Sequence, residues 1–129
     1  MDAANPAALF AADAARAIRE GALTSEEVVR ACLERIRETE PKVQAWTFLD
    51  ENLALEQARA ADDLRRSGEP VGPLCGIPIG IKDIIDTADM PTENGTPLHR
   101  GRTPRSDAAV VARLRAAGAI IMGKTVTTE

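Results

Sequence analysis

The sequence is poor in aromatic residues, which make up 2% of its 129 residues. Trp46, Phe10 and Phe48 are the only ones, and tyrosine is absent. Proteins that bind single-stranded nucleic acid stack bases on such rings. A net charge of -4 adds no attraction for phosphate backbones or anionic lipid. We therefore predict that the chain binds neither nucleic acid nor a membrane surface.

The sequence also lacks long apolar runs, since none approaches the ~20 residues needed to span a bilayer. It begins Met-Asp-Ala-Ala-Asn, without the basic and then apolar pattern of a signal peptide. These two absences predict a cytoplasmic protein. Hydrophobic residues at 44% and charged residues at 28% are typical of one globular domain with a real core.

Cysteine and histidine are rare as well. Cys32 and Cys75 lie far apart in the sequence, whereas disulfide scaffolds and metal sites use denser or more closely paired cysteines. A nucleophilic Cys75 would need a histidine partner, and His99 is the only histidine. Because no motif brings the two together, we interpret Cys32 as a small buried residue and Cys75 as a loop thiol.

The first half of the sequence has helical periodicity with clear boundary signals. Thr24 and Glu27 form a capping box at the start of the second helix, Asp50 is placed to cap the third, and Gly21 and Pro41 are placed to end the first and the second. The predicted elements are helices at 6–19, 25–38 and 51–66 and a strand at 43–49. We interpret the helices as a scaffold with charged outer faces.

The segment 72–83, GPLCGIPIGIKD, predicts the central strand. Three isoleucines alternate with Pro78, Gly80 and Lys82, which is the period of two of a strand. Gly80 leaves room for another backbone to approach. Lys82 has two interpretations. Either its stem follows the apolar edge with its ammonium in water, or the amine is desolvated, with a lowered pKa, and acts as a base.

Beyond the central strand, Ile84–Thr87 is expected to continue extended, and a turn-rich loop follows at 88–104. That loop holds His99 as well as Arg100 and Arg102, with Arg105 just after it, and we interpret it as solvated rather than as an anion site. Ser106 or Asp107 is predicted to cap a short helix that closes at Gly118. A buried strand is predicted at 119–122.

The segment 118–125, GAIIMGKT, matches the phosphate-binding pattern G-x-x-x-x-G-K-[ST]. That mechanism needs a flexible loop after a strand and before a helix. Here the four intervening residues are Ala-Ile-Ile-Met, which belong inside a sheet. We therefore reject phosphate binding and interpret Gly118 and Gly123 as the ends of a helix and of a strand.

Two blocks of sequence resemble the amidase signature family of serine hydrolases. They are GPLCGIPIGIKDIIDTADMPTENGTP at 72–97 and RSDAAVVARLRAAGAIIMGKTVTTE at 105–129. The resemblance implies an α/β fold, a single domain with a large mixed sheet surrounded by helices. Residues 1–68 would form its helical scaffold, and residues 71–129 the start of the catalytic core.

The resemblance also implies the chemistry. A Ser-Ser-Lys triad would hydrolyse the C–N bond of a small-molecule carboxamide without metal or cofactor, and Lys82 matches the catalytic lysine that acts as base. In the family, both serines follow the GKT block. Ser25, Ser67 and Ser106 match neither of them, so we expect the 129 residues alone not to hydrolyse amides.

Two departures from the family pattern, and the neighbour of Lys82 at the end of the strand, carry further expectations. Asp89 stands where the family usually has glycine, and Val126 where it usually has asparagine. These departures bring the local loop geometry and hydrogen bonding into question. Asp83 is expected to be structural and to bond loop amides.

Three alternatives to the amidase interpretation stay open. One is a truncated, non-catalytic interaction protein, and another is an assembly in which a separate chain supplies the serines. The third is a component similar to the amidotransferase protein of this family that takes part in making amidated aminoacyl-tRNA. The resemblance also allows a homodimer of the full-length enzyme.

Overall fold

The computed structural model describes residues 5–129, which form four α-helices and one three-stranded sheet. The elements are a 3-10 turn at Pro6–Ala8, α1 (Ala11–Glu20), α2 (Ser25–Val43), β1 (Trp46–Leu49), α3 (Glu51–Arg66), β2 (Pro78–Lys82), a 3-10 turn at Pro97–His99, α4 (Ala109–Ala116) and β3 (Ile120–Thr125). The strand order is β1-β3-β2, and β3 runs antiparallel to β1 and parallel to β2. This mixed architecture confirms the α/β class. The division at residues 68–71 stays a prediction.

Three helix boundaries set by local signals are confirmed, whereas the first helix, predicted from residue 6, begins at Ala11 after the 3-10 turn. Gly21 ends α1 with φ 76°, in the left-handed region that glycine favours. The Thr24 hydroxyl accepts the Glu27 N–H at 3.1 Å, and the Glu27 carboxylate accepts the Thr24 N–H at 2.7 Å. The Asp50 carboxylate accepts the Leu53 N–H at 3.0 Å. Each signal acts within one helical turn, so the neighbouring sequence is enough to specify it.

The predicted end of α2 at Glu38 is wrong, because the helix continues through Pro41 to Val43. A proline removes one N–H donor but keeps a helical φ, and Pro41 lies in the last turn. The helix closes where Gln44 adopts φ 51° and donates its N–H to the Glu40 carbonyl. The Glu40 carboxylate accepts the N–H groups of Ala45 and Trp46, which delays the start of β1 to Trp46.

Three predictions beyond β2 are also corrected. The extended continuation over 84–87 is absent, because Ile85 N–H donates to the Lys82 carbonyl at 2.9 Å and turns the chain. The N-cap of α4 is Ala108, without a side-chain cap, since the Asp107 carboxylate accepts the Ala88 N–H at 2.8 Å instead. Strand β3 runs through Gly123 to Thr125, so Gly123 lies inside the strand.

The sheet is packed on both faces. Ile120 and Met122 of β3 pack with buried residues of α2 and α3 on one face. Ile121 of β3 packs on the other face with Ile81 of β2 and Val111 of α4. Helices α1 and α2 meet a third cluster at Ile77, just before β2. The carboxyl end of β2 is therefore supported by the core through Ile81.

A bulge changes which side chains β3 directs to each face. Ile79 pairs with Ile121 and Gly80 pairs with Gly123, so Met122 is the extra residue on β3. Because a shift of one residue exchanges the two faces of a strand, Lys124 pairs with Ile81 and points to the same face as Ile121. Regular alternation would have placed it with Met122.

Candidate functional site

Lys82 is the last residue of β2 and is exposed. Its backbone is held opposite Thr125 in the parallel ladder. Among the described residues, no hydrogen bond or salt bridge engages its ammonium. Within the described residues, the Lys82 ammonium is therefore accessible to solvent, as the first interpretation states. The desolvation that the second interpretation requires is not found among these residues.

The buried lysine is Lys124, which belongs to the rejected phosphate-binding motif. Its side chain is 0% exposed. Its Nζ lies 2.6 Å from the Thr92 hydroxyl, 3.3 Å from the Pro91 carbonyl and 3.4 Å from the Asp83 carboxylate. Burial lowers the pKa of Lys124 below its ordinary 10.5, while the carboxylate of Asp83 opposes that shift.

Asp83, next in sequence to Lys82, is 3% exposed. Its carboxylate also accepts the Glu93 N–H at 3.3 Å, which confirms the expectation that it bonds a loop amide. Its own N–H donates to the Thr125 carbonyl at 2.9 Å, and its carbonyl accepts the Asn94 N–H at 3.0 Å. The exposed and the buried lysine are thus linked through one aspartate.

Gly80 is required for a different reason from the one predicted. A Cβ at this position would come within 2.9 Å of the Trp46 ring and 3.0 Å of the Thr125 methyl group. Side chains from β1 and β3, rather than another backbone, therefore occupy the space. Gly80 and Lys82 share a face of β2, so Trp46 packs on the side from which Lys82 projects.

The loop at 88–104 brings together few of its polar candidates. His99 is exposed, and its Nδ1 lies 2.9 Å from the Asn94 amide nitrogen. Arg102 forms a two-point pair with Asp86 at 2.8 and 3.1 Å. The charge of Arg102 is therefore compensated by a carboxylate.

Cys75 and His99 are not joined. The Cys75 thiol is buried, and its sulfur lies 3.9 Å from the Ala61 carbonyl. Burial raises its pKa, so the reactive thiolate is disfavoured. Among residues 5–129, no group of three or more His, Cys, Asp or Glu side chains is arranged to hold a metal ion.

Asp89 and Val126, the two departures from the family pattern, are described by their backbone conformation and their contacts. Among the described residues, Gln44 and Asn94 are the non-glycine residues with positive φ, so Asp89 is free of that strain. The Asp89 carboxylate pairs with Arg115 at 2.7 Å. Val126 is exposed, and its N–H donates to the Ala45 carbonyl.

The family of this chain follows from comparison with models of known protein families. A model of the amidase family matches residues 27–129. The chain belongs to the amidase family. No helix within residues 5–129 has the length and apolarity to cross a membrane.

Relatives of this amidase-family chain are considerably longer than it is. The A component of glutamyl-tRNA(Gln) amidotransferase from Chloroflexus aggregans is 47% identical over 108 residues, 84% of this chain and 22% of that protein. The peptide amidase of Stenotrophomonas maltophilia is 38% identical with a TM-score of 0.85, over 92% of this chain and 25% of that one. A fatty acid amide hydrolase is 28% identical with a TM-score of 0.86, over 95% and 22%. The chain spans about a quarter of each.

The residue that sequence reasoning missed in this amidase-family chain is Lys124. Its signal was a charged residue directly after an apolar run that reads as a buried strand, where an unpaired charge is strongly disfavoured. A lysine buried at such a position is expected to pair with a buried acidic residue. Asp83, which also follows an apolar strand, was the matching candidate.

Proposed function

We propose that this chain carries the general base, Lys82, of an enzyme that hydrolyses a small-molecule carboxamide. The observation behind the proposal is the state of Lys82 in a member of the amidase family. It stands at the end of a strand supported by the core, with its ammonium unengaged by the described residues. Of the other two lysines, Lys124 is bound by protein oxygens and Lys42 lies in the last turn of α2.

The proposed chemistry is acyl transfer through a Ser-Ser-Lys triad. One serine hydroxyl attacks the amide carbonyl carbon, and its proton passes through a second serine to the neutral amine of Lys82. The protonated amine then returns the proton to the leaving nitrogen as the C–N bond breaks. Water hydrolyses the resulting ester by the same route, which restores both the serine and the neutral lysine.

The serines of this chain are occupied elsewhere or lie apart from the triad's pattern. Ser25 is buried and donates its hydroxyl to the Gly76 carbonyl at 2.7 Å. The Ser67 hydroxyl donates to the Leu64 carbonyl at 2.6 Å. Ser106 is exposed on the loop before α4. The proposal therefore draws both hydroxyls from outside these 129 residues, and the same outside residues would supply the desolvation of Lys82.

The test is Lys82→Ala in the complete enzyme that contains this sequence, with ammonia release measured over a panel of primary carboxamides. Loss of a general base is expected to lower turnover about 10²- to 10⁴-fold, compared at equal folded fraction of variant and wild type. Lys42→Ala is the matched control and should leave turnover unchanged. Turnover near wild type in Lys82→Ala would overturn the proposal.

A second candidate is favoured by one comparison, the 47% identity to a component of an amidotransferase. In that case the carboxamide is an ammonia donor such as glutamine, and the ammonia passes to an acceptor on a partner. Glutamine hydrolysis that rises severalfold with a partner protein and charged tRNA would support this candidate. Partner-independent turnover of unrelated amides would support the plain amidase.

A further inference from the structure

Lys124 is an unusual residue to find fully enclosed in a small sheet. A buried ammonium loses its hydration, and the loss is offset only when oxygens surround it in good geometry. Three oxygens do so here, from Asp83, Pro91 and Thr92. An apolar residue of similar length would fill the same buried space without that requirement, so packing alone gives no reason for the charge.

The three oxygens come from two separate segments of chain. Asp83 belongs to the turn that leaves β2, and Pro91 and Thr92 belong to the loop that returns over the sheet. The backbone of Lys124 is held in β3 by the parallel ladder, and its ammonium contacts both segments. The Asp83 backbone bonds to Thr125 and Asn94 fasten the same place.

This junction lies directly beside Lys82. Lys82 is followed by Asp83, whose carboxylate and both backbone polar groups are engaged. It is preceded by Ile81, which pairs with Lys124 across the ladder and is buried. The backbone of Lys82 is therefore fixed from both sides, while its side chain stays exposed.

We propose that Lys124 is a positioning residue for Lys82: through Asp83 and Thr92 it holds the carboxyl end of β2, so that the Lys82 amine is presented at one fixed place. This inference rests on the proposed role of Lys82 as base. Proton transfer depends steeply on the placement of the base, and a shift of about 1 Å can cost about 100-fold in rate.

The test compares Lys124→Met with Asp62→Ala in the complete enzyme. Asp62 is a matched control because it is also a buried, hydrogen-bonded charged residue, yet it bonds the start of α2. Lys124→Met should lower kcat by about 100-fold while KM stays within about threefold. Asp62→Ala should leave both constants within about threefold at equal folded fraction.

Two further measurements keep the test decisive if Lys124→Met folds poorly. Thr92→Val removes only the hydroxyl at 2.6 Å from Nζ, and should lower kcat about tenfold at unchanged KM. In the same variant, amide hydrogen exchange at Asp83 and Asn94 should speed up about tenfold, whereas Asp62→Ala should leave these two amides unchanged.

The outcomes separate this inference from the proposed function. If Lys82→Ala abolishes turnover but Thr92→Val and Lys124→Met match Asp62→Ala in kcat and exchange, the positioning role is overturned and the role of Lys82 stands. If Lys82→Ala retains turnover, the proposed function fails, and the positioning role fails with it.

Discussion

Two buried aspartates of this chain, Asp62 and Asp83, solve the same physical problem differently. Asp62 on α3 is 2% exposed and Asp83 after β2 is 3% exposed. The Asp62 carboxylate accepts the N–H groups of Ser25 and Glu26 at 2.7 and 3.0 Å, at the start of α2. The Asp83 carboxylate accepts one N–H and pairs with the ammonium of Lys124.

The two arrangements differ in the desolvation cost of the charges that they bury. A helix start has unpaired N–H groups and a positive dipole end, so it satisfies Asp62 without a second buried charge. The Asp83 solution desolvates a lysine as well, which attraction within the pair only partly offsets. The Asp62 arrangement, with one buried charge, joins the scaffold helices α2 and α3. The Asp83 arrangement, with two buried charges, lies beside the lysine proposed as the base.

The largest expected effect on stability comes from breaking the buried ion pair of Asp83 and Lys124. Lys124→Met leaves the Asp83 carboxylate buried without its counter-charge, which should lower the free energy of unfolding by about 3 to 5 kcal/mol. Denaturant unfolding of the variant and the wild-type protein measures the change.

Removing both charges sharpens the same comparison. The double variant Lys124→Met/Asp83→Asn keeps an acceptor for the Glu93 N–H and has no buried charge at the junction. It should recover a large part of the lost stability, because replacing a buried ion pair by uncharged residues often changes the free energy of unfolding little. A double variant as unstable as the sum of its single variants would show that the ion pair is not the source of the loss.

A smaller effect is expected at the other aspartate. Asp62→Ala removes the acceptor for two N–H groups at the start of α2, while Thr24 and Glu27 still cap the helix. The free energy of unfolding should fall by about 2 kcal/mol, the size of a lost charged cap. Chemical denaturation tests it, and a loss equal to that of Lys124→Met would remove the contrast between the two sites.

How far these two sites are predictable follows from the range of their contacts. The caps at Thr24 and Asp50 are evident in the sequence, since donor and acceptor lie three residues apart. The strand ending at Lys82 is evident from its period of two. Contacts within one turn or one strand leave their mark in the local order of residues.

The buried site of Lys124 cannot be predicted in that way. Its face depends on the bulge at Met122, which alternation in the sequence does not reveal. Its nearest partner, Thr92, lies 32 residues earlier, in a loop whose path is set by the Asn94 and Arg102 contacts. The end of α2 escapes prediction for a related reason, because the Glu40 side chain accepts N–H groups of Ala45 and Trp46 beyond the end of the helix.

A third aspartate, Asp86, completes the series with an exposed pair and the smallest expected effect. The Arg102 side-chain hydrogen bonds hold the pKa of Asp86 below its ordinary value of 3.8. A carboxyl group whose pKa is lower in the folded state stabilises the fold above its unfolded pKa and loses that contribution as pH falls through the folded value. Because both side chains are more than one-third exposed, solvent screens the pair and the contribution is small.

Asp86→Asn should therefore lower the unfolding midpoint slightly at pH 7, and the deficit should close as the pH is lowered past 3.8. The measurement is thermal unfolding of both proteins from pH 7 to pH 3, repeated at high salt, which should shrink the deficit at pH 7 because exposed charges are screened. A deficit that persists unchanged at pH 3 would mean that the packing of Asp86, rather than its charge, supports the loop. Asp86 would then resemble Asp62 more closely than its exposure suggests.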